Sequence, residues 1–152
     1  MKFPQTEQLS PAEELKFLKE IYGEERVDQK FDVLTDSFNV LQNRAQMLLS
    51  LITITLTITG FSGPAIAASS TLARFAIALG LVLVLLSAFI LMVGPLRLNW
   101  CTRSRADSVD QTLIVLIMQR NQRTRRYHLA SITLVVGLIG YVTSVISFLI
   151  AG

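Results

Sequence analysis

Few side chains in this sequence can make or break bonds. There is one histidine, His128, and one cysteine, Cys101. Nucleophilic catalysis needs a nucleophile beside a base, and general acid–base work needs groups poised in different protonation states. Carboxylates are plentiful before residue 46, yet with one imidazole and one thiol they complete no such pairing. A single cysteine forms no intrachain disulfide and cannot alone supply a zinc site. Beside Trp100, it reads as a bystander thiol. The sequence has no glycine loop to cradle a phosphate and no nucleophile elbow. The expectation is a protein that is not an enzyme and holds neither cofactor nor metal.

The polar groups that do recur are hydroxyls, set at helical spacing inside apolar sequence. Ser50, Thr53, Thr57 and Gly60 form one stripe, and Thr55, Thr59 and Ser62 form another on a different face. Further along, Ala73, Gly80, Ser87 and Gly94 are spaced by seven, and Thr133, Gly137, Gly140, Ser144 and Ser147 by four and three. Facing stripes of this kind could line a path or a small-molecule site. They also suit close helix packing, in which small residues let backbones approach and hydroxyls bond across helices for about 0.6 kcal/mol each. Packing is the simpler reading, although a pore gated by dewetting stays compatible with it. No Asp, Glu, Lys or Arg lies within any expected membrane core, which argues against a proton relay, a charged-substrate transporter or a voltage sensor.

The elements that must carry these residues are legible from charge. Residues 45–73, 75–96 and 128–152 contain no Asp, Glu, Lys or Arg. Each is long enough to cross a bilayer as a helix, since about 20 residues at 1.5 Å rise match a hydrocarbon core of roughly 30 Å. Residues 51–59 alternate with period two, but a lone strand in lipid leaves its backbone unsatisfied, so a helix is expected there too. The fold class is therefore all-α, a polytopic membrane protein with three transmembrane helices. Four segments follow: cytoplasmic N-terminal helices (1–46), a transmembrane hairpin (47–96), a basic cytoplasmic loop with an amphipathic helix (97–127) and a third span (128–152). Residues 1–22 carry acids and lack an apolar run before a small-residue site, so no cleavable signal peptide is expected.

The loop holds Arg97, Arg103, Arg105, Arg120, Arg123, Arg125 and Arg126 against Asp107 and Asp110, whereas the turn between the first two spans holds only Arg74. The positive-inside rule makes that loop and the N-terminus cytoplasmic and the C-terminus external, as in a plasma (inner) membrane protein of a prokaryote. Trp100, Tyr127 and His128 suit the interfacial belt. Arg97, Arg103, Arg105, Arg123, Arg125 and Arg126 are candidates for contact with anionic lipid, at about 1 kcal/mol each near the surface. Nucleic acid is not an expected partner, because the basic run abuts the membrane and has only Tyr127 as a stacking ring.

On the cytoplasmic side, Ser10, Pro11 and Glu13 spell a helix start with a capping box. An apolar stripe of Leu15, Leu18 and Tyr22, joined by Phe17 and Ile21, follows, and Gly23 breaks its phase. From there Val27, Phe31, Leu34, Phe38, Leu41, Ala45 and Leu48 repeat at four and three, a heptad seam running straight into the first span. Such a row has to bury against another helix. The candidates are the apolar run 113–118 of a loop helix starting near Asp107 or Ser108, and the same seam in a second copy. The expectation is a mixture: the loop helix packs on the seam within one chain, and the remaining apolar face oligomerises. Segment 1–46 is net acidic and the loop net basic, so the two should attract. Gly63-Pro64 is expected to end or kink the first span, and Gly94-Pro95 to do the same for the second.

The mouth of the first span, Gln42-Asn-Arg-Ala-Gln-Met-Leu-Leu49, is preceded by Asp28-Gln-Lys30 and followed by an apolar, Thr-rich span. It resembles the small helical membrane effectors of prokaryotic nucleotide-signalled phage defence, of the Pycsar and SLATT kinds, in the basic residue and alanine at Arg44-Ala45. That resemblance implies an oligomer that disrupts the membrane when a cytoplasmic partner or ligand activates it. From the residues themselves, the expected function is a non-enzymatic, oligomeric membrane interaction or accessory subunit acting through its cytoplasmic helices, with a gated pore or membrane-disrupting effector as the alternative. Membrane lipids, further copies of the chain and a cytoplasmic protein are the expected partners.

Overall fold

Ser10 opens the first helix as its spacing requires. Its hydroxyl accepts from the Glu13 N–H at 3.4 Å, and the Glu13 carboxylate accepts from the Ser10 N–H at 2.8 Å, a reciprocal capping box with Pro11 behind it. The resulting helix, α1 (Pro11–Tyr22), stops at Gly23, whose φ of +79° and ψ of 164° suit glycine alone. Three helices follow in this computed structural model, which describes residues 9–95 and 108–151: α2 (Val27–Ser69), α3 (Thr71–Val93) and α4 (Val109–Ala151). Ser108 caps α4 by accepting from the Gln111 N–H at 3.2 Å. Among the described residues there is no strand.

α2, α3 and α4 are each long and apolar enough to cross a membrane. Two of them are longer than one span needs. α2 carries the acidic N-terminal seam and the first apolar stretch as one helix, and α4 likewise joins the loop helix to the third stretch with no break across Arg120 to His128. Gly63-Pro64 does not end the first span: α2 continues through Pro64 to Ser69. Proline withdraws the N–H that would bond the Gly60 carbonyl, a loss that helices in lipid tolerate better than water-exposed ones. Gly94-Pro95 does act as punctuation, for α3 stops at Val93 and the Gly94 N–H bonds the Ile90 carbonyl at 2.9 Å.

The chain divides into two compact units. Of the described residues, 40–95 and 123–151 form the larger one, a three-helix bundle. α3 runs antiparallel to α4 here: Gly80 meets Gly137 and Gly140, Ser87 donates to the Ala130 carbonyl at 2.7 Å, and Gly94 meets Arg126. The buried face of α3 is Ala73, Ile77, Gly80, Val84, Ser87, Leu91 and Gly94, alternating small and large at spacings of four and three. A Cβ on Gly80 would lie 2.8 Å from the Gly137 carbonyl oxygen, so the two backbones touch and nothing larger than hydrogen fits. On α2, Ala45 and Ile52 pack with Ala130 and Leu134 of α4, and the Ser62 hydroxyl lies 3.3 Å from that of Tyr141. Ser70 alone separates α2 from α3. Its side chain caps α3 through the Ala73 N–H at 3.1 Å, and Arg74 bonds the Ala67 carbonyl at 3.3 Å, where a cation suits the end of α2.

Candidate functional site

Residues 9–39 and 108–122 form the smaller unit, assembled from α1 and the first turns of α2 and α4. Its centre is an apolar cluster: Leu15 and Leu18 of α1, Leu34 of α2, and Leu113, Leu116 and Ile117 of α4, with Tyr22, Phe31, Val33, Phe38 and Ile114 packed against it. The apolar run expected on the loop helix thus meets the seam within one chain. Two ion pairs flank the cluster and set α1 antiparallel to α4. Arg120 and Glu14 approach to 2.7 Å, and Lys19 Nζ and Asp110 Oδ2 to 2.6 Å. The bond to Asp110 holds the Lys19 amine above its ordinary pKa. The bonds from the Ser10 hydroxyl and then its N–H hold Glu13 below the usual carboxylate value. Both groups are exposed, so water screens what they contribute.

One residue in this unit carries no sequence signal. Lys30 sits just before Phe31 of the seam and is only 1% exposed, yet its amine reaches the backbone carbonyl of Glu24 at 3.3 Å. A buried lysine with a neutral partner ties the connector 23–26 to α2, at the desolvation cost that buried charge carries. Its spacing, three after Val27 and four before Leu34, places position 30 on the seam's face, but a lysine there and a backbone partner give composition nothing to announce.

The other expected site residues distribute as follows. Leu34, Leu41 and Ala45 are buried, and Val27, Phe31, Phe38 and Leu48 are half-buried, so the seam is largely consumed inside the chain. Gly80, Ser87, Gly137 and Ser144 are buried and Gly140 half-buried, all in close packing, with Ser144 bonding the Tyr141 carbonyl at 2.6 Å. Ser50, Thr53, Thr57 and Gly60 do not join them. They lie on the exposed face of α2, each hydroxyl satisfied by the carbonyl four residues back. The stripe on α2 that turns inward is Thr55, Thr59 and Ser62. Arg126 donates to the Val93 carbonyl at 3.3 Å, a cation at the C-terminus of α3. Arg123 is half-buried and Arg125 exposed, while Arg97, Arg103 and Arg105, with Trp100 and Cys101, lie outside the described residues.

No group of three or more metal-ligating side chains occurs among the described residues. A groove of about 340 Å³ between α2 and α3, lined by Gly60, Gly63, Pro64, Ala67, Ile77, Ala78 and Leu81 with Thr59, offers an apolar surface and no titratable group. The smaller unit shows apolar side chains to its surroundings: Phe17 and Ile21 one turn apart on α1, both about half exposed, and Val115 and Met118 one turn apart on α4. No family model matches the chain, and neither a characterised protein nor a solved structure is similar to it at a significant level.

Proposed function

We propose that this chain is a non-enzymatic integral membrane protein working as an oligomeric interaction or accessory subunit. In this reading it lies in a prokaryotic plasma (inner) membrane with α1 and the starts of α2 and α4 in the cytoplasm and its C-terminus outside, an orientation supported by the arginine asymmetry. The observation that carries the proposal is the pair of exposed apolar patches, Phe17 with Ile21 and Val115 with Met118, in the unit outside the uncharged stretches. Exposed apolar surface of this kind, with no lipid to cover it, is the usual mark of a protein contact. Native mass spectrometry of gently extracted protein reads the outcome. The wild type is expected as a homo-oligomer or a complex with a cytoplasmic protein, and Phe17→Ser with Met118→Ser as a smaller species of unchanged helicity. An unchanged assembly in that variant would sink the proposal.

A second reading, a gated pore or membrane-disrupting effector, is favoured by one observation: Ser50, Thr53, Thr57 and Gly60 all lie on the outward face of α2. In a ring of copies that face is free to line a path, and the resemblance at the mouth of the first span implies the same activity. Thr53→Leu with Thr57→Leu is then expected to change ion flux through reconstituted vesicles, whereas identical flux removes these residues as a lining.

A further inference from the structure

The cover of the apolar cluster is a single short helix, and its structure makes it separable. α1 carries its own start, the Ser10–Glu13 box, and its own stop at Gly23, and α2 begins afresh at Val27. The helices beneath hold Leu34, Leu113, Leu116 and Ile117 at 0 or 1% exposure. Lifting α1 leaves α2 and α4 intact and opens an apolar groove bordered by Arg120 toward one end and Asp110 toward the other. Its occupant needs a helix with an acid opposite Arg120, two leucines three residues apart over the cluster, and a base opposite Asp110. Glu14, Leu15, Leu18 and Lys19 supply that pattern, and every copy of the chain carries one.

We propose that the groove is an interface between copies, filled by α1 of a neighbouring chain in a reciprocal exchange. This deepens the oligomer reading above and rests on it. An exchanged pair keeps each contact of the closed chain and changes only the connector 23–26, which is why such exchange costs little. In the closed chain the connector reverses direction at Gly23, in backbone that only glycine adopts readily, and the Lys30 bond to Glu24 pins it. Straightening the connector relieves that requirement and carries α1 outward. Short connectors of this kind favour exchange over closure. Anchoring in one membrane holds two copies at the same depth and orientation, which raises the effective concentration of each α1 at the other's groove.

The test uses full-length chains lacking the native thiol (Cys101→Ser), one carrying Lys19→Cys and a first affinity tag, the other Asp110→Cys and a second, co-expressed and treated in the membrane with a short bismaleimide. Exchange places the introduced thiol at position 19 of one chain against the introduced thiol at position 110 of the other, so a covalent dimer bearing both tags is expected. Gly23→Ala, which penalises the closed reversal, is expected to raise its yield severalfold, and a Gly-Ser insertion after Gly23, which eases closure, to lower it severalfold. The double variant Lys19→Cys/Asp110→Cys, mixed with thiol-free chains, reports closure. If it cross-links only within itself and no two-tag dimer forms, exchange is overturned. Native mass spectrometry of the same sample then separates the failures: an intact oligomer leaves the oligomer reading standing, and a monomer removes both. Absence of any cross-link, within or between chains, also overturns the proposal, because α1 then does not occupy the groove.

Discussion

Gly80→Ala is expected to destabilise the membrane bundle, while Gly60→Ala leaves it unchanged or slightly more stable. The two glycines lie in apolar helices and look alike in sequence. Around Gly80, an added methyl would sit 2.8 Å from the Gly137 carbonyl oxygen and 3.1 Å from the Tyr141 nitrogen, both backbone atoms that can yield only if α3 and α4 move apart. Separation would loosen the contacts that Val84 and Ser87 make with α4, and overpacking of this kind costs typically about 1–3 kcal/mol, more for valine than for alanine. Around Gly60 an added methyl meets nothing within 4 Å, and replacing a helical glycine by alanine gains roughly 0.5–1 kcal/mol. Thermal unfolding in detergent, followed by helical circular dichroism, should show the opposite signs. Equal loss at both positions would mean that α3 and α4 are not in backbone contact at Gly80.

The spans were legible because lipid imposes a composition that soluble segments do not share, and the heptad seam was legible because helix packing imposes a period. What the period could not state is its extent and its partner. On α2 the same alternation of four and three continues past Leu48 through Ile52, Thr55, Thr59, Ser62 and Ile66, so the seam expected to run into the first span goes on along it. A matching row on α4 runs from Leu113 through Leu116, Arg120, Arg123, Tyr127, Ala130, Leu134, Gly137, Tyr141 and Ser144 to Phe148. Interrupting charges and hydroxyls hid both continuations, since a threonine that returns its proton to a carbonyl four residues back sits as comfortably inside as outside. That is also why the two hydroxyl stripes of the first span could not be ranked. Thr55 and Thr59 are buried and Thr53 and Thr57 exposed, yet all four make the same internal bond.

Charge was a better guide than the small worth of exposed ion pairs suggests. The attraction expected between the acidic N-terminal segment and the basic loop is realised once, in Glu14 with Arg120, beside a second pair, Lys19 with Asp110. The second pair runs against the bulk trend, with the acid on the loop side and the base on α1. Net charge sums over such details, and only antiparallel packing assigns them. Of the two outcomes expected of Gly63-Pro64, an end or a kink, the end does not occur. Gly63-Pro64 is a stop signal in water, where freed carbonyls and a broken helix are readily solvated, whereas in an apolar surround a helix that continues satisfies more of its backbone than one that ends.

Leu34→Ala decides whether the seam is an intrachain core. Leu34 is 1% exposed at the centre of the smaller unit, against Leu15 and Leu18 of α1 and Leu113, Leu116 and Ile117 of α4. Truncating a buried leucine costs about 2–5 kcal/mol, depending on how far the site collapses. The cluster is small, and α1 at 12 residues is too short to persist as an isolated helix. A loss of that size therefore releases α1 and uncovers Arg120 of α4. Limited trypsin digestion should then cut at Lys16, Lys19 and Arg120 faster than in the wild type, by roughly an order of magnitude for each ~1.4 kcal/mol where the population of the open form limits cleavage. Phe17→Ala, on the exposed face of α1, is expected to leave those rates nearly unchanged in the separated chain. If Leu34→Ala dissociated an oligomer while the digestion pattern of the separated chain stayed that of the wild type, the seam would be buried only between copies. If it sped digestion at every concentration, the seam is the floor on which an α1 rests, whether that helix comes from the same chain or from a neighbouring copy.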